Sequence, residues 1–163
     1  MTLLDIYEEF HFLLTKNKKL LEKENFVGKT LQQKYFGNLE DKYYKKNSYP
    51  RASYIEATGL SRSSYENLKG LKECATTDVR NVVYAAFWLC VTYEEGKLLY
   101  LLWFNNQIMN EEEYIYWDSI FRILDEERTK LMNMTAIMRV MYIKEKLGEY
   151  KIFTLICVDY AMI

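Results

Sequence analysis

The chain has 163 residues, half of them hydrophobic, with 22 Lys and Arg against 23 Asp and Glu and a formal net charge of -1. That is apolar enough for a sizeable core and too apolar for a disordered chain. The near-zero charge excludes a molecule drawn as a whole to polyanions. A lone histidine (His11), three cysteines (Cys74, Cys90, Cys157) with no Cys-x-x-Cys pair, and no Gly-rich phosphate loop argue against a catalytic triad, a multi-histidine metal site, a disulfide framework and a nucleotide-binding loop. The expectation is a non-enzyme with no cofactor and no bound metal.

In chain order, Leu3, Ile6, Tyr7, Phe10, Leu13, Leu14, Leu20 and Leu21 are spaced for one amphipathic helix over 2–25, with Thr2 or Asp5 at its start. His11 reads as structural or solvent-exposed. Phe26 to Thr30, with Gly28, is a break. Leu31, Tyr35, Leu39 and Tyr43 recur in steps of four and predict a helix over 31–46, stopped by Asn47, Ser48, Tyr49 and Pro50. Pro50 suits the first turn of a new helix, over 51–58. A second short helix follows over 61–69.

Residues 71–76 read as a loop, with Thr76 or Thr77 capping a helix over 78–90 whose apolar side carries Val79, Val82, Val83, Ala86, Phe87 and Cys90. Thr92 with Glu95 three residues on is a capping box that opens a buried helix over 92–104. Asn105-Asn106 is a turn. Asn110 with Glu113 opens a helix whose stripe is Tyr114, Trp117, Ile120, Phe121 and Leu124. Over 127–147, Leu131, Met134, Ile137, Met138, Met141 and Leu147 predict one further helix, its methionines filling core gaps. The last run, KIFTLICVDYAMI, reads as a terminal apolar helix. Few breakers and these patterns give an all-α fold in three parts: an N-terminal amphipathic helix (1–28), a central domain (29–110) and a helical C-terminal region (111–163). No apolar run approaches the roughly 18 residues of a membrane span. No basic-then-apolar leader is apparent at the N-terminus, so the expected setting is a reduced cytosol.

The stretch YIEATGLSRSSYENL (54–68) carries the functional signal. Gly59 supplies a left-handed turn between two short helices, Leu60 anchors it, and Ser61 stands where a helix N-cap is needed. Tyr65 and Leu68 share an inward face. Arg62, Ser63, Glu66 and Asn67 are left pointing outward, with Ser64 at the boundary. Arg reads guanine edges or phosphates, Asn reads adenine, and Ser binds phosphates. From Lys29 to Gly70 there are eight cationic and four anionic residues, so a basic segment sits in a chain that is otherwise acidic.

ATGLSRSSYENLKG resembles the helix-turn-helix of phage-repressor-type regulators, the XRE or Cro-like family, over about residues 31–110. One helix precedes the motif in that family and two follow it, as here. VTYEEGKLLYLLWFNNQI is similar to the later part of such domains. Three features depart from the family pattern: Ile55 replaces the small residue four before the turn glycine, Arg51 replaces the usual glutamine, and the loop LKECATT stands where a Gly or Asn-Gly with a following Pro is usual. The resemblance implies a five-helix domain and a sequence-specific, duplex-DNA-binding transcriptional regulator, a repressor acting by occupancy as a homodimer. Its DNA-binding residues are then Ser61, Arg62, Ser63, Ser64 and Asn67 in the groove, with Arg51, Lys69, Lys45 and Lys46 on phosphates. Trp103, Tyr114, Tyr116 and Trp117 read either as a dimer surface or as core. The alternative is a small phage or mobile-element protein that reuses this scaffold to bind and inhibit a host protein, as high tyrosine content and Glu66 on the reading helix allow.

Overall fold

The computed structural model describes residues 2–21, 30–44, 49–70, 78–104 and 111–148, with only the backbone for Leu20, Leu21, Trp103 and Phe104. Every regular element among the described residues is an α-helix. Lys45, Lys46, Cys74, Thr76, Thr77, Asn110, Cys157, the Phe26–Val27–Gly28–Lys29 break, the 105–106 turn and the expected terminal helix over 151–163 lie outside the described residues.

Helix α1 (Leu3–Lys16) starts at Thr2, which exchanges hydrogen bonds with Asp5 in a capping box. The single helix expected over 2–25 is instead broken. Asn17 caps α1, with Nδ2 donating to the Leu13 carbonyl at 2.8 Å, and α2 (Lys18–Leu21) begins beyond it. The side-chain amide competes with the backbone ladder, which periodicity alone does not reveal. Helix α3 (Leu31–Tyr43) opens on a second capping box, Thr30 with Gln33. α4 (Pro50–Thr58) has proline at its first turn, and α5 (Arg62–Lys69) follows after Gly59.

Helix α6 (Val79–Leu89) is buried at every residue from Asn81 to Leu89 and forms the centre of the fold. It touches α3, α4, α5, α7 and α10. Its cap is Asp78, which accepts from the Arg80 N–H at 2.9 Å. Its far end is closed from a distance. Arg139 donates to the Phe87 and Trp88 carbonyls at 2.8 and 2.7 Å, and Arg128 to Cys90 and Val91 at 3.3 and 3.1 Å. Guanidinium groups thus satisfy carbonyls that the helix itself leaves open.

Helix α7 (Tyr93–Phe104) begins with the expected Thr92–Glu95 box, and Leu98 to Leu102 are buried. α8 (Glu111–Glu126) lays Tyr114, Trp117, Ile120, Phe121 and Leu124 into the core. Tyr114 and Trp117 are therefore interior groups, not a free dimer surface.

The single helix expected over 127–147 is two, α9 (Arg128–Met132) and α10 (Ala136–Gly148). Between them Asn133 caps α9, and Thr135 Oγ1 accepts from the Met138 N–H at 3.2 Å. The break resets the helical register. Val140 and Ile143 face inward, while Met138 and Met141 are 52% and 55% exposed, so these methionines do not fill the core as the sequence suggests.

One core runs from Ile6 through α3 to α8 and on to Ile143. It therefore joins all three parts that the sequence separates. Among the described residues no helix is long and apolar enough to cross a membrane.

Candidate nucleic-acid interface

The α4–α5 unit is built around Gly59, at φ 72° and ψ 7°, a left-handed conformation that side chains disfavour. Around it Thr58 Oγ1 donates to the Tyr54 carbonyl at 2.7 Å and accepts from the Leu60 N–H at 3.1 Å. The Lys144 ammonium, from α10, donates to the Thr58 carbonyl. A cation therefore sits at the C-terminal end of α4, where the helix dipole favours it. Leu60 is half-buried, as an anchor should be.

Helix α5 is fixed by its inward face. Tyr65 and Leu68 are buried, and the Tyr65 ring meets Phe36, Tyr54 and Trp88 with centroids 5.7 to 6.5 Å apart. The Tyr65 hydroxyl donates to Glu40 Oε2 at 2.6 Å. Burial first, then this contact with Glu40, push its pKa far above the ordinary phenol value, so it stays neutral. Two further bonds grip the α5 backbone: Gln33 Nε2 donates to the Asn67 carbonyl at 3.0 Å and Asn81 Nδ2 to the Ser64 carbonyl at 2.8 Å. Asn81 is itself held by the Tyr54 hydroxyl.

The candidate DNA-binding side chains divide into three groups. Ser61, Arg62 and Ser63 are exposed at the start of α5. Ser61 is the N-cap residue, but its hydroxyl makes no capping bond and lies 3.3 Å from that of Ser64. Arg62 Nε donates to Glu66 Oε1 at 2.8 Å. Ser64 and Asn67 are half-buried on the same helix. Lys69 turns inward, its ammonium 2.5 Å from Glu40 Oε1, and Arg51 is half-buried with its Nε enclosed and, among the described residues, without a hydrogen-bond partner. The geometry thus joins Ser61, Arg62 and Ser63 in one projecting edge and sets Lys69 apart in an ion pair with α3.

Glu40 and Lys144 hold this unit together, and sequence reasoning passed over both. Neither has a local signal. Glu40 is 25 and 29 positions from its partners and Lys144 is 86 from Thr58. The edge offers hydroxyls and a guanidinium, donors suited to the acceptor groups of a ligand. Comparison with protein-family models, curated proteins and solved structures finds no match to this chain.

Proposed function

We propose that the protein is a sequence-specific, duplex-DNA-binding transcriptional regulator, a repressor by the family it resembles, with α5 as its reading helix. One observation carries this reading. α4 and α5 meet at a left-handed Gly59, with Tyr65 and Leu68 buried beneath and Ser61, Arg62 and Ser63 projecting. A reading helix needs this division, because its N-terminal residues must reach base edges while its other face is fixed. The succession of α3 to α7 around this turn supports the reading, since the resemblance to the XRE or Cro-like family implies one helix before the motif and two after it. The mechanism is occupancy, with no chemical step, and a two-fold homodimer would read a palindromic site.

Selection of the purified protein on random duplexes at two salt concentrations tests this. The expected result is one palindromic site whose affinity falls steeply with salt. Arg62→Ala should then cost about 1–3 kcal/mol of specific binding. No enrichment and no binding at low salt would remove the reading.

A second reading has its own support. Glu40 and Glu66 neutralise Lys69 and Arg62, while Ile137, Met138 and Met141 expose an apolar stripe on α10. Weak phosphate attraction beside an exposed Met-rich face suits a protein that binds and inhibits a host protein. A stable protein complex without duplex binding would favour it.

A further inference from the structure

Resting on the reading of α5 as the DNA-reading helix, we propose that Glu66 is a positioning residue that holds Arg62 for a guanine. Arg62 is the first residue of α5 and Glu66 stands one turn behind it on the same face. The arginine side chain is 68% exposed and the carboxylate 12%, so the guanidinium projects and the acid is recessed. The bond between them uses Nε, at 2.8 Å. Among the described residues neither terminal nitrogen of Arg62 has a hydrogen bond. Those two nitrogens form the planar fork that matches guanine O6 and N7.

Stability does not explain the pair. An i,i+4 ion pair whose cation is exposed contributes little. Its order also runs against the helix dipole, with a cation in the first turn and the acid following. What the pair does accomplish is to take rotamer freedom from a long side chain before it meets a ligand. A recessed carboxylate so placed also repels phosphate, which weakens sequence-independent binding. Glu66 thereby raises discrimination at both ends, tightening the right base and loosening the generic backbone contact.

The test compares the full chain with Arg62→Ala, Glu66→Ala and Glu66→Gln, each checked for helix content, by selection on random duplexes. The parent should enrich guanine at one base pair, and Arg62→Ala should lose that preference. Glu66→Ala should still bind but discriminate guanine from adenine about two- to tenfold less, the worth of an unfixed side chain, with tighter non-specific binding. Glu66→Gln keeps an oxygen to accept from Nε and should retain most of the discrimination. A Glu66→Ala protein with the parent's guanine preference overturns the proposal and leaves the DNA reading intact, as does a parent site with no guanine dependent on Arg62. A parent that enriches no sequence overturns the DNA reading, and this inference with it.

Discussion

Gly96 has no room for a side chain. A Cβ there would lie 2.8 Å from Phe121 Cδ1 and 3.0 Å from Leu124 Cδ1. Alanine would gain about 1 kcal/mol of helix propensity over glycine, but overpacking a filled core costs about 1–3 kcal/mol. The Phe121 ring is fully buried against Tyr100, with centroids 5.6 Å apart, so it has little space to withdraw. Strain should win. Gly96→Ala is expected to be less stable than the parent by about 1 kcal/mol, read as a lower midpoint in urea with an unchanged slope. A midpoint at or above the parent's would show that Phe121 can move aside. Gly59 is the opposite case, because its nearest neighbour is the flexible end of Lys144 at 3.4 Å and its demand is on φ. That demand is legible in sequence, since a glycine between two short helical patterns announces a turn. The reason for Gly96 is not, because the atoms it makes way for are 25 and 28 residues along the chain.

Helices α1, α7 and α8 are clipped together by a buried cation. Lys97 is 1% exposed, and its ammonium reaches Asp118, Glu9 at 3.2 Å and the Tyr93 hydroxyl at 3.2 Å, over the Tyr114 ring at 4.4 Å. Asp118 also accepts from Tyr93 and from Arg122 Nε at 2.9 Å. Burial opposes ionisation of Asp118, yet the bonds from Lys97, Tyr93 and Arg122 outweigh it and hold its pKa below the ordinary 3.8. The unfolded chain therefore takes up this proton at higher pH than the folded one. The clip's contribution is full above about pH 4 and is lost as pH falls through the depressed value. Asp118→Asn should cost about 3 kcal/mol near neutrality, because it strips a buried cation of one partner, and should flatten the decline of stability in acid. An unaltered acid limb would mean that Asp118 does not control it. Sequence patterning found the three helices in this clip but not the clip. Leu98 and Leu99 announce a buried face, whereas a lysine beside them reads as solvated until Glu9 and Asp118 are seen across from it. The same limit explains α9 and α10, where the caps Asn133 and Thr135 lie inside an otherwise continuous apolar pattern.

At the scale of the molecule, the unusual tyrosine content has a structural use. The sequence suggests an interaction surface, because exposed tyrosines favour interfaces. In the fold, phenols instead tie helices to one another's carboxylates. Tyr65 donates to Glu40, Tyr93 to Asp118, Tyr114 to Glu9, Tyr43 to Glu95 and Tyr142 to Glu127. These ties and the core from Ile6 to Ile143 are what make one body of three stretches that composition and charge divide. They depend on phenolic protons. Burial above all, reinforced by the facing acids, raises the pKa of Tyr65, Tyr93 and Tyr114 far above 10, and burial does the same for Tyr54 and Tyr100. A raised folded value gives stability that is complete below the unfolded pKa of about 10 and falls away as pH rises beyond it. Tyr65, Tyr93 and Tyr114, ionised in place, would each set a phenolate against a carboxylate, so the chain should unfold before these groups titrate one by one. The expected outcome of an alkaline titration is that the buried phenols give a steep, cooperative rise in tyrosinate absorbance that coincides with loss of helical circular dichroism. A full tyrosinate rise with helicity retained would mean that the buried phenols reach solvent without unfolding. The tyrosine–carboxylate ties would then not be what joins the helices.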